Sequence, residues 1–153
     1  MKEAFDNELN TALVETFNNI LKVEEDAVKK SAINLTIGEM HLIETIDKGG
    51  SSGRSISDIA NELQITLPSV TVAINKLHKK EYVEKIRCQQ DRRVVYILLT
   101  RKGKKINSVH RYFHLTMIRN IAAQLTKEEK SAFIKGLKNI NAFFRKSLEK
   151  GDK

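Results

Sequence analysis

Residues 64–80, QITLPSVTVAINKLHKK, carry the pattern from which the architecture follows. Thr66 is a favourable N-cap, and Pro68 falls in the first helical turn, where its missing N–H costs nothing. Val70, Ile74 and Leu77 recur at helical spacing and predict one apolar face. The opposite face then presents Ser69, Val72, Asn75, Lys76 and Lys79, with Thr71 on its flank. No acidic residue occurs between Gln64 and Lys80. A carboxylate on such a helix would be repelled by phosphate, so its absence suits a helix that enters a major groove. Ser, Thr and Asn bond base edges or phosphates, and Val72 can meet a thymine methyl. The plainer alternative is a solvated helix in an all-α protein.

The flanking residues weigh against that alternative. Upstream, Ser55 caps a short helix, with Asp58 near its positive end and Ile59 and Leu63 inside. Only Gln64 to Thr66 separate it from the next helix, which is helix-turn-helix spacing. Downstream, Tyr82 to Arg87 mix apolar and charged residues, and Val94 to Leu99 form a β-branched, aliphatic run. Both read as strands around the polar loop Cys88-Gln89-Gln90-Asp91-Arg92-Arg93, which makes a hairpin. In a winged helix-turn-helix this loop is the wing. Gln90, Arg92 and Arg93 are then DNA-contact candidates, since a narrow minor groove attracts Arg, and Asp91 orients an Arg side chain. A surface Arg–Asp pair that merely stabilises the turn, worth about 0–1 kcal/mol, is compatible with that role.

Working outward, a first helix is expected from about Phe5 to Lys30, with Leu9, Leu13, Phe17, Ile20 and Leu21 near helical spacing. Thr36-Ile37-Gly38-Glu39 reads as a capping box that opens a helix to about Asp47, ended by the Gly/Ser cluster 49–53. Thr100 caps a long helix to about Leu125. Thr126-Lys127-Glu128-Glu129 opens a last helix to about Leu148. The expected order is α-α-α-α-β-β-α-α: mainly α with a small β-hairpin wing. A winged helix-turn-helix DNA-binding region spans 36–103, and residues 1–35 and 104–153 form flanking dimerisation helices, intertwined as one domain. Phe5 and Leu9 with Phe143, Phe144 and Leu148 are the candidates for a homodimer seam.

The chain has 153 residues, enough for a real core, and a formal net charge of +8 that favours an acidic partner. Double-stranded DNA is the first expectation and an anionic membrane surface the second. Many basic residues fall between Lys76 and Lys105 instead of along one amphipathic membrane-binding helix, which favours DNA over a membrane. Residues 1–21 show no signal-peptide pattern and no stretch approaches a membrane span, so a cytoplasmic protein is expected. The single cysteine, Cys88, excludes an intrachain disulfide and is read as a small strand residue instead of an oxidant sensor. No Gly-rich phosphate loop or nucleophile–base grouping points to an enzyme, and no cofactor is expected.

Ile59-Ala60-Asn61-Glu62-Leu63, Ser69-Val70-Thr71, Leu77-His78-Lys79-Lys80 and Asp91-Arg92-Arg93-Val94 leading to Leu99-Thr100-Arg101-Lys102-Gly103 resemble the MarR family of bacterial regulators. Within it, Phe17-Asn18-Asn19-Ile20-Leu21 with Glu24-Glu25, Glu39-Met40-His41 and His110-Arg111-Tyr112-Phe113-His114 look like the FabT-type repressors. That resemblance implies a dimeric repressor of fatty-acid-synthesis genes, with acyl-carrier protein bearing an acyl chain as co-repressor. Glu81 departs from the family pattern, which has Gly there. Either the recognition helix ends without a left-handed residue, or the chain tolerates a strain on the order of 1 kcal/mol.

His110 and His114 share a helix face at i, i+4. With Met40 and His41 they are effector-pocket candidates. A polar network or pocket lining is the first reading of these histidines. Zinc held by His41, His110, His114 and Glu24 or Glu25 is the alternative.

Overall fold

The computed structural model describes residues 2–31, 33–87 and 94–151. Its contacts divide the chain into residues 1–108 and 109–153. The first unit begins with α1 (Lys2–Lys30) and α2 (Ile37–Asp47), followed by a single 3-10 turn at Gly50–Ser52. Strand β1 (Arg54–Ser55), α3 (Ile56–Leu63), α4 (Leu67–Lys79), β2 (Val83–Arg87), β3 (Val95–Leu99) and the start of α5 (Arg101–Ala123) complete it.

The starts of α2, α3 and α4 are set by caps. Thr36 Oγ1 accepts the Glu39 N–H at 3.2 Å while the Thr36 N–H donates to Glu39 Oε2 at 2.9 Å. This reciprocal pair satisfies two donors the helix cannot satisfy itself. Ser55 and Asp58 form the same box at α3. At α4, Thr66 accepts from the Ser69 N–H.

The core joins α2, α3, α4 and the sheet. Ile43, Ile46, Ile59, Val70, Ile74, Leu77, Val83 and Ile97 are each at most 2 % exposed. The sheet corrects the expected two-stranded hairpin. It has three strands in the order β1-β3-β2, all antiparallel, with Arg54 opposite Ile97 and Ser55 opposite Tyr96. Gly53 allows this extra strand to close in. Its φ is +71°, and a Cβ there would lie 2.6 Å from Leu98 Cδ1 and 2.9 Å from the Ile97 carbonyl oxygen. A side chain at 53 would push β1 off the sheet.

The end of α4 resolves the question at Glu81, which is left-handed with φ +65°. The Tyr82 N–H donates to the Leu77 carbonyl at 3.0 Å and the Glu81 N–H to the His78 carbonyl at 3.0 Å. These are the two bonds of a Schellman motif, and they offset the cost of a Cβ in this conformation. The start of α5 docks on the same turn. Thr100 Oγ1 accepts the Gly103 N–H and lies 2.7 Å from the Glu81 carbonyl oxygen. Lys102 Nζ donates to the Lys80 carbonyl at 2.8 Å and stands 4.6 Å over the Tyr82 ring. Gly103 makes the approach possible, since a Cβ there would sit 2.1 Å from the Tyr82 carbonyl oxygen.

The second unit comprises the remainder of α5 and α6 (Lys127–Gly151). Thr126 and Glu129 cap α6 reciprocally, at 2.7 and 3.2 Å. The backbone and side-chain hydrogen bonds of Thr126 lower the Glu129 pKa and outweigh the opposing effect of burial. Large apolar side chains on α5 and α6 stay exposed, among them Phe143 at 67 %, Phe144 and Leu148. On α1, Phe5, Leu9 and Phe17 are exposed as well. Among the described residues, no helix is long and apolar enough to cross a membrane.

Candidate nucleic-acid interface

Helix α4 is oriented by its buried face. Val70, Ile74 and Leu77 have no measurable exposure, and Ser69, Thr71, Val72, Asn75, Lys76 and Lys79 are all exposed. Thr71 Oγ1 donates to the Leu67 carbonyl at 2.9 Å, so its hydroxyl proton is used within the helix. Ser69 Oγ and Thr66 Oγ1 are 2.8 Å apart. The left-handed Gln64 (φ +53°) turns the chain between α3 and α4, and its side-chain amide donates to the Asn61 carbonyl at 2.7 Å. The wing candidates Gln90, Asp91, Arg92 and Arg93, with Cys88, lie outside the described residues.

Three features escaped the sequence reading. The first is an ion pair across the unit: Lys80 Nζ donates to both Glu39 oxygens at 2.9 Å. Burial pushes the Glu39 carboxyl up, but the bonds from Lys80 and the Thr36 N–H, with the Lys80 and Lys76 charges, outweigh it. The carboxyl is held below its ordinary 4.5. The capping box of α2 is thereby tied to the C-terminal end of α4. The second is Glu62, which binds both Lys48 and Arg54 and whose pKa those hydrogen bonds lower. The third is Lys85 on β2, whose Nζ donates to Asn75 Oδ1.

An open groove of about 620 Å3 runs between α2 and α4, lined by Leu42, Ile65, Pro68, Val72 and Lys76 among others. Of the effector candidates, Met40 is 2 % exposed and packs in the core. His41 Nε2 lies 3.4 Å from Oε2 of the buried Glu24. Glu25 instead pairs with Lys29 at 3.7 Å. Within residues 109–153, His110 and His114 bring their Nε2 atoms to 2.9 Å, with the rings edge to face. Two imidazoles at that distance share one hydrogen bond when neutral, and either could ligate a metal.

A helix-turn-helix whose second helix turns a carboxylate-free polar face outward, backed by a three-stranded sheet, defines a winged helix-turn-helix. The model of the family "Transcriptional regulator SarA/Rot" matches residues 27–109. The chain belongs to that family of MarR-type winged-helix transcriptional regulators. The structure of Streptococcus pneumoniae FabT in complex with DNA is 37% identical, covers 92% of this chain and 97% of its own, and superposes with a TM-score of 0.88. The Staphylococcus aureus MepR–DNA complex shares the fold at 20% identity, 89% and 97% coverage and a TM-score of 0.75. The HTH-type transcriptional regulator YfiV of Bacillus subtilis is 28% identical over 69% of this chain, which spans 64% of YfiV's length.

Proposed function

We propose that this chain is a homodimeric repressor that lays α4 in the major groove of a pseudo-palindromic operator. The observation that carries this is the outward face of α4, polar and basic without a carboxylate, in a chain 37% identical to a FabT whose structure holds DNA. Ser69, Lys76 and Lys79 take phosphates or base edges, the Thr71 hydroxyl oxygen accepts from a base-edge donor, Val72 meets a thymine methyl, and Asn75 reads a base. Gln90, Arg92 and Arg93 serve the wing, with Asp91 orienting an arginine. Residues 36–103 form the DNA-binding region, and 1–35 with 104–153 the dimerisation region. The exposed apolar side chains of α1, α5 and α6 support a second copy as their cover. A twofold dimer spaces its recognition helices by about 34 Å. The role is binding, not catalysis.

The likeness to FabT supports control of fatty-acid-synthesis genes, with acyl-acyl-carrier protein as co-repressor. A zinc-responsive regulator is the second reading, and the 2.9 Å approach of His110 and His114 favours it. Gel-shift titration against a palindromic operator tests the DNA role. Affinity should fall steeply as salt rises, by about 0.9 in log K per log salt for each neutralised phosphate. A flat response, or equal affinity for every duplex, would contradict it. Melting with acyl-acyl-carrier protein, and separately with zinc, discriminates the effectors, because a ligand of the folded state raises Tm. A rise with neither rejects both.

A further inference from the structure

Lys85 is placed by the strand register and not by chance contact on the surface. Val83 lies opposite Leu99, Lys85 opposite Ile97 and Arg87 opposite Val95. Directly opposed residues of an antiparallel pair share a face of the sheet. Leu99 and Ile97 are buried, so Val83, Lys85 and Arg87 occupy the core-side face of β2. Val83 is buried at 2 %, and Lys85, two residues on, emerges at the rim of the core. There its ammonium meets the carboxamide oxygen of Asn75 on α4. The strand alternation aims one group and the helical spacing the other.

A carboxamide has one accepting and one donating end. With its oxygen turned to the Lys85 ammonium, Asn75 presents its N–H donors elsewhere. The bidentate contact of Asn to adenine needs both ends: the oxygen accepts from N6 while the nitrogen donates to N7. An amide held by Lys85 instead matches edges that only accept, namely N7 and O6 of guanine or O4 of thymine. We propose that Lys85 is a specificity-determining residue, which orients Asn75 to read an acceptor edge of duplex DNA and not adenine. This rests on α4 being the base-reading helix.

Selection from a randomised duplex library, with the full-length chain, tests it. Wild type, Lys85→Met, Lys85→Arg, Asn75→Ala and the Lys85→Met/Asn75→Ala double variant are compared, each first checked for a native melting transition. Wild type should prefer guanine or thymine at one position per half-site, and Asn75→Ala should lose that preference. Lys85→Met should shift that position alone toward adenine by about tenfold, which is about 1.4 kcal/mol. Lys85→Arg should keep the wild-type preference, and Lys85→Met should add nothing once Asn75 is gone. The proposal falls if Lys85→Met weakens all sequences equally, which marks a phosphate contact only. It also falls if the Asn75-dependent position selects adenine in wild type, or if Asn75→Ala alters no position. Wild type selecting no sequence at all would overturn the reading of α4 itself, and is recognised because every variant then behaves alike.

Discussion

Replacing Lys80 with Met keeps the aliphatic stem and removes the ammonium that spans the two Glu39 oxygens. The carboxylate left behind is 9% exposed and retains the Thr36 cap bond, while the Lys80 side chain is 29% exposed. Breaking a fully buried pair costs about 3–5 kcal/mol. The partial access of Lys80 and the surviving cap bond reduce this to about 1–3 kcal/mol. For a chain of this size that is a fall in Tm of about 3–9 °C, measured by thermal melting at one protein concentration. The pH dependence follows from the Glu39 pKa, which folding lowers below 4.5. Such a group contributes stability that is fully present above 4.5 and is lost as pH falls through its folded value. In Lys80→Met the buried carboxyl lacks its cation, so acid relieves that variant. The gap between the two proteins should therefore be widest near neutrality and narrow below pH 4.5. Adding Glu39→Gln, which preserves a capping-box acceptor, should recover part of the loss. Equal melting of wild type and Lys80→Met at neutral pH, or a gap indifferent to acid, would refute the argument.

Three further outcomes are expected. Gly103→Ala places a Cβ 2.1 Å from the Tyr82 carbonyl oxygen, so α5 must shift off the turn; denaturant titration should show a loss of about 1–3 kcal/mol, and an unchanged midpoint would contradict the close approach. Glu81→Gly relieves the left-handed conformation at φ +65° and should gain about 0.5–1 kcal/mol, read as a raised Tm with unaltered operator affinity. Phe143→Glu puts a charge into the exposed apolar stripe of α6; sedimentation should show a dimer for wild type and a monomer for the variant, and a stable variant dimer would move the seam elsewhere.

Local rules made most of the helix-turn-helix legible in the sequence. The spacing of Val70, Ile74 and Leu77 predicted which face of α4 is buried, and Thr36, Ser55, Thr66, Thr100 and Thr126 each marked a helix start. What stayed hidden depends on partners distant along the chain. Strand β1 is two residues long and finds its partner at Tyr96 and Ile97, so no alternation announced it. Glu39 and Lys80 lie 41 positions apart, and each has a sufficient local explanation, as a cap and as a surface lysine. Lys85 belongs to an alternation that shows only once Val83 is set against Leu99 and Lys85 against Ile97. At Glu81 the residue type argued against the conformation, and the Schellman bonds of Tyr82 and Glu81 overrode it.

Ser55 ends β1 and caps α3 with the same residue. The sheet and the helix-turn-helix consequently have no slack between them. One residue inserted after Ser55 would rotate the phase of α3 by about 100° against its cap and carry Ile59 off the core. The 3-10 turn a few residues earlier has room around it: a Cβ at Gly50 would meet nothing within 4 Å, although its φ of +55° favours glycine at that one position. Insertions and deletions should therefore be purged at 54–56 and accumulate at 50–52 among homologues. The same turn is the natural seat for a fluorophore or epitope that reports on the regulator without disturbing it.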